Sequence, residues 1–404
     1  MSGHDELLTD LGTALFASLP RSDQRRMALT YVRGLLTTRG RKSFRNMAAS
    51  LGVPGLEQSL HHFISSSTWD WTSVSRALAD TLMAVAPPQG WVLRTLVMPR
   101  EGEGTVGVHK RFFPGRGQDL NAQYAVGLWA ASPSMCYPLT WRLVLPPEWL
   151  QDDRRRARAQ IPGSYTPETP VECAVAAYLG LPAELRARLP VVMDVCGSDT
   201  AKAVHRLRSA QVPFLVRAYR SMQLTAVDPA LPGLGTGPLS THRILAEAEG
   251  LRGGFLYPSP EQTPRTSRTE PGTEEPTRGP VTAVRVRPPY DPDRSDRSDG
   301  HDEPYDLLLL RTRTDTGQNP EEVWLTNMLD ATHGNLLSLT SLSHRTNDAT
   351  ERITSHLGIR DFTGRSYGGW NRHATLAAVA HAVALFSGEP ADLSSRRTPE
   401  AASG

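Results

Sequence analysis

At 404 residues the chain is too long for one small domain and long enough for a large core with satellites. With 39% hydrophobic and 21% charged residues it reads as an ordinary globular protein, and a formal net charge of only +2 excludes a strong whole-molecule field. No stretch reaches the roughly 18 apolar residues of a membrane span. Cys136, Cys173 and Cys196, odd in number and without CxxC spacing, argue against a disulfide framework or a zinc site.

Residues 1–90 read as a helical domain. Met27, Leu29, Val32, Leu35 and Leu36 fall at helical spacing. In RKSFRNMAASLGVPGLEQSLHHFI (Arg41–Ile64), an apolar face of Phe44, Met47, Ala48 and Leu51 is followed by the turn Gly52-Val53-Pro54-Gly55 and a second helix. This is a helix-turn-helix pattern, with Arg39, Arg41, Lys42 and Arg45 beside it as DNA-contact candidates. The same residues also fit a small bundle with a solvated basic face. The opening MSGHDELLTDLG lacks the basic start and apolar run of a signal peptide, so the expected location is the cytoplasm.

From Trp91 the pattern changes to strands. WVLRTLV, GTVGVHKRFF and QYAVGLWAAS predict a three-stranded antiparallel meander. PETPVECAVAAYLG predicts a helix capped by Thr166 or Thr169. PVVMDV, a helix over 199–210 and PFLVRA complete a β-α-β unit. Antiparallel strands followed by alternating helices and parallel strands give an α/β fold with an RNase H-like mixed sheet over 91–225. Residues 226–340 read as a β-rich insertion, with 258–304 too polar to order except at VTAVRVR. The acidic run DPDRSDRSDGHDE lacks EF-hand spacing and reads as a solvated loop. Helices over 341–388, one near 345–357 and one over ATLAAVAHAVALF, complete the core, and 389–404 is a disordered tail.

Five strings carry a resemblance: LHHFISSSTWDW (Leu60–Trp71), WVLRTLVMPREGEGTVGV (Trp91–Val108), GQDLNAQYAVGL (Gly117–Leu128), LVLPPEWLQDDRRRARAQIP (Leu143–Pro162) and LGIRDFTGRSYGGWNRHATL (Leu357–Leu376). In this order and spacing the chain resembles insertion-sequence DDE transposases of the group with a DDTGFPKKG signature. The resemblance implies an RNase H-like core, an N-terminal helical DNA-binding region and a β-rich insertion before the last catalytic helix. It also implies DNA as partner, a homodimer as the acting form, and three carboxylates holding two Mg²⁺ ions for phosphoryl transfer.

The carboxylates are where this chain departs. Asp194 stands at the second position, although Asp194-Val195-Cys196-Gly197 is one residue shorter than the family's D-x-x-Y-G. Arg94 and Thr95 fall under the paired aspartates of the first position. Asn347 falls where the Glu is expected, with Glu351 one helical turn along as a substitute. Arginine cannot ligate a metal. No cofactor is therefore expected, and Asp194 is at most a remnant metal ligand.

The leading expectation is a domesticated, non-cleaving DNA-binding protein with a degenerate active site. Its phosphate contacts would come from Arg39, Arg41, Lys42, Arg45, Arg154, Arg155, Arg156, Arg158, Arg365 and Arg372, with Trp370 and His373 near the backbone. A second reading is a fold recruited to small-molecule metabolism with a small-molecule ligand in the altered cleft, where Cys196 and His344 could form a nucleophile and base. A third is an active Mg²⁺-dependent transposase using Glu101 or Glu103 with Asp194 and Glu351.

Overall fold

A computed structural model describes residues 3–113, 118–186, 189–231, 234, 237–251, 281–288, 305–312 and 322–387. Five helices come first: α1 (Gly3–Leu15), α2 (Ser22–Thr37), α3 (Phe44–Leu51), α4 (Leu56–Ser65) and α5 (Trp71–Val85). Ser43 caps α3 by accepting from the Asn46 amide, and Asp70 caps α5 by accepting from Thr72 and Ser73. Between α3 and α4 the chain turns through Gly52 and Gly55, both left-handed, so the two predicted helices and the turn between them are present.

The sheet begins with β1 (Gly90–Pro99), β2 (His109–Phe113), β3 (Gln118–Ala131) and β4 (Cys136–Val144). Here the meander expectation needs correcting. GTVGV is a turn, because Gly107 sits at φ 78° against Leu143 and only His109–Phe113 is strand. The third long strand is β4, whose sequence CYPLTWRLV carries Pro138 within it. Pro138 lies at the register shift opposite Trp129, where a missing N–H is tolerated.

Next come α6 (Pro147–Leu150), α7 (Asp153–Ala159), α8 (Pro170–Leu179), α9 (Ala183–Arg186), β5 (Val191–Asp194), α10 (Thr200–Ser209) and β6 (Phe214–Arg217). Thr169 and Glu172 form a reciprocal capping box on α8. β1 pairs antiparallel with β3 and parallel with β5, and β5 pairs parallel with β6. The order β4-β3-β1-β5-β6 is the RNase H-like arrangement.

The insertion extends this same sheet. β7 (Gln223–Ala226), β8 (Pro238–Ser240), α11 (Thr241–Leu251), β9 (Val281–Arg287), β10 (Leu307–Thr312) and β11 (Glu322–Thr326) follow, and β11 returns to pair antiparallel with β6. The polar segment 258–304, apart from 281–288, and the tail 389–404 lie outside the described residues.

Two helices close the core. α12 (His333–His356) begins twelve residues before the predicted 345, at the Thr332 cap. Its Ser/Thr-rich first half has weak helix propensity, and packing on β1 and β5 overrides it. α13 (Tyr367–Phe386) is buried on nearly every side, between β4 and helices α2, α4 and α5. One hydrophobic cluster therefore runs from Leu8 to Val383, and residue 90 marks a change from helix to strand without a break in the core.

Candidate active site

Alternation along strands determines which residues share the cleft face. Arg94 and Asp194 are register partners on neighbouring parallel strands. Met193 pairs with Val216, so Arg217 stands next to Asp194, and Arg217 in turn is opposite Trp324. Glu322 lies two residues before Trp324 on the same face. α12 covers this face: Gly90, four residues from Arg94, abuts Leu342 of α12. Thr95 points to the other face, so position 94 alone of the pair meets the cleft.

Four adjacent strands and one helix thus build a charge network. Arg94 donates to Asp194 Oδ2 at 2.6 Å, and Ser343 Oγ of α12 donates to the same oxygen at 2.7 Å. Arg217 lies 3.8 Å from Asp194 Oδ1 and 2.7 Å from Glu322 Oε1. His344 Nε2 lies 3.2 Å from Glu322 Oε2. Burial alone would raise the Glu322 carboxyl, but His344 and Arg217 outweigh it and hold it down to about 2. The Glu322 carboxylate in turn raises His344 above its ordinary value, against desolvation.

These residues do not fit a two-metal site. Both Asp194 oxygens face guanidinium groups, and the described residues contain no group of three or more His, Cys, Asp or Glu able to hold a metal ion. A unit positive charge about 4 Å from a dication opposes it by roughly 8 kcal/mol at an effective dielectric of 20. Asn347 is exposed, one helical turn from Ser343. Glu351, the substitute the sequence suggests, lies two turns from Ser343, about 12 Å along the helix, and does not reach Asp194. Glu101 and Glu103 lie beyond the far end of β1, whose Pro99 is already about 17 Å from Arg94. Of the suggested Cys196–His344 pair, His344 is engaged by Glu322 and Cys196 is an exposed thiol whose partly desolvated sulfur is pushed up, away from a reactive thiolate.

Several predicted DNA contacts are internal. Trp370 is fully buried. Arg372 Nη1 donates to the Ile64 carbonyl at 2.8 Å and its guanidinium lies between Trp69 and Trp71, fixing the end of α4 to α13. His373 is buried; its Nε2–H can only donate to the Gly358 carbonyl, so Nδ1 accepts from the Tyr31 hydroxyl at 2.7 Å. Burial pushes His373 down to about 4, so it stays neutral. Lys42 is buried, its ammonium bonded to the Thr38 carbonyl and its amide to Asp361, and its aliphatic stem packs on Gly358 at φ 69°. Arg156 is spent on the carbonyls of Pro162, Gly163 and Tyr165. These side chains hold the fold and are not available to phosphates.

Arg39, Arg41 and Arg45 are exposed beside α3. Arg154, Arg155, Arg158 and Arg365 line one groove of about 420 Å³ with Glu103, Gly104, Trp149, Asp152 and Ala159. No sequence signal placed Arg365 beside α7, since about 200 residues separate them.

The sheet is RNase H-like and carries Asp194 at the end of β5, beside Arg94 on β1. A family model described as DDE superfamily endonuclease matches residues 14–249, more than half of the chain, and the chain belongs to that family. No curated protein matches it. No helix among the described residues is long and apolar enough to cross a membrane.

Proposed function

We propose that this chain is a domesticated member of the DDE endonuclease family that binds duplex DNA without cutting it. The observation that carries the reading is the Arg94 guanidinium on Asp194 at 2.6 Å, reinforced by Arg217 on the opposite oxygen. The cleft has exchanged metal charge for protein charge. Arg94 and Arg217 neutralise Asp194 and Glu322, as two dications would have neutralised three acids, and the sheet keeps its shape. Such a cleft cannot activate water through a metal, because no described carboxylate is free to converge on Asp194. Family membership supports DNA as the partner, and the exposed Arg39, Arg41 and Arg45 beside α3 supply local positive charge despite the near-neutral whole.

The test is incubation of the purified chain with supercoiled and linear DNA in Mg²⁺ or Mn²⁺, followed by gel-shift at rising salt. The expected result is an unbroken substrate retained at low salt and released at high salt. Metal-dependent nicking by the unaltered chain would overturn the non-cleaving reading, and no retained duplex at any salt would overturn DNA binding.

A further inference from the structure

We propose that the arginine groove between α7, the loop after β1 and the segment before α13 binds phosphate groups of the DNA backbone, apart from the Asp194 cleft. The proposal deepens the DNA-binding reading above and rests on it.

Two segments distant in sequence deliver the four guanidinium groups, and the loop after β1 lies between them. Arg154 and Arg158 are four residues apart on α7 and share one face. Arg155 stacks at 4.0 Å over the Trp149 ring and donates to the Glu103 carbonyl at 3.1 Å, while Trp149 is itself fixed by donating to the Val108 carbonyl at 2.8 Å. Arg365 comes from the other end of the chain and lies over Gly104, where an added Cβ would stand 3.7 Å from its Nε. The Val106 amide bonds the Gly364 carbonyl and ties these two segments together.

Among the described residues, Arg154, Arg158 and Arg365 have no carboxylate partner, and all three are exposed. Of the two acids in the groove, Asp152 is committed to capping α7 through the Arg155 amide. Four cations against two carboxylates repel one another unless an anion enters. Arginine forks, with one of them rigidly stacked, suit phosphate oxygens in two-pronged geometry. The groove opens to solvent, with Arg154, Arg158 and Arg365 exposed along it, which leaves room for a passing backbone. The groove shares no lining residue with the Arg94–Asp194–Arg217–Glu322 network, so its arginines can be varied without touching the cleft's ion pairs.

The experiment measures duplex DNA binding by fluorescence anisotropy over a salt series, with R154A/R158A/R365A and the matching triple lysine variant. Each phosphate contact contributes about 0.9 to the slope of log K against log salt. The triple alanine variant should lose between about two and three units of slope and at least about tenfold in affinity at moderate salt, while its melting curve is unchanged. The lysine variant, which keeps the point charges, should retain most of the slope. If the unaltered chain binds DNA and the alanine variant binds with the same slope and affinity, the groove assignment falls and the DNA-binding reading stands. If the unaltered chain binds no DNA, both fall. Calorimetry with inorganic pyrophosphate separates the remaining source of phosphate. Heat from the unaltered chain that vanishes in the alanine variant, together with an unchanged DNA slope, would assign the groove to a free polyphosphate and overturn the backbone assignment.

Discussion

Arg94 and Arg217 stand in the cleft at 23% and 19% exposure, each against a carboxylate, whereas Arg154, Arg158 and Arg365 stand exposed in the groove with none. The residue type is the same and the electrostatic result is opposite. A paired, half-buried guanidinium has already exchanged its hydration for a protein acid and contributes to holding four strands in register. An unpaired, exposed one keeps its field and is available to a mobile anion. The ion-paired cleft and the arginine groove are thus two regions that can be perturbed separately.

The largest expected effect separates the cleft from the helix behind it. On acidification Glu322 keeps its charge, since it is held down to about 2. His373 and His381 are pushed by burial down to about 4 from an ordinary 6.5. A depressed histidine favours the unfolded state as pH falls, so stability is lost between 6.5 and 4, by on the order of 3 kcal/mol for each residue. Urea midpoints at neutral pH and near pH 4 measure this. His381→Gln, which keeps a donor for the Cys136 carbonyl and cannot titrate, should recover about half of the loss; equal midpoints at both pH values would contradict the assignment.

Next in size is the cleft pair. Asp194→Ala leaves Arg94 half-buried without its acid and should cost about 2 kcal/mol in chemical denaturation. Replacing both, as R94M with D194L, should cost less than the single change, because no charge is stranded. A double variant less stable than D194A would mean the pair stabilises beyond mutual compensation.

Smaller again is Arg158→Ala in the groove. Its stability should stay within about 0.5 kcal/mol of the unaltered chain, and the salt slope of DNA binding should fall by about one unit. The smallest effect is at His344, which is 37% exposed and therefore well screened. A raised histidine contributes stability that is complete below the ordinary 6.5 and lost as pH rises through its folded value. His344→Ala should cost less than about 1 kcal/mol below pH 6 and still less at pH 9. The reverse order across that window would show that His344 does not pair with Glu322.

Much of this could be read from the strings alone. The strands β1, β3, β5 and β6 and the two helices around the Gly52–Gly55 turn rest on short-range patterns, and the arginine at position 94 stands out through the resemblance. The cleft's other half was not legible. Glu322 lies 128 residues after Asp194 in sequence, and no local signal says that β11 returns beside β6. Trp370, Arg372 and His373 are buried for a different reason: residues able to contact DNA also serve as internal hydrogen-bond and packing groups. The signal for that burial was present in ATLAAVAHAVALF, which is apolar all round and so implies a helix buried on every side, carrying its polar neighbours inside with it.

The amino-acid order by itself determined where helices and strands form, because periodicity, caps and turn residues act within a few positions. It also determined that position 94 offers a cation where the resemblance expects an acid. Tertiary structure alone decided which cations are spent and which are free. Ion pairing depends on through-space distance and shared burial, and only the folding of distant strands and loops onto one another places Arg217 on Glu322 and leaves Arg365 open beside α7.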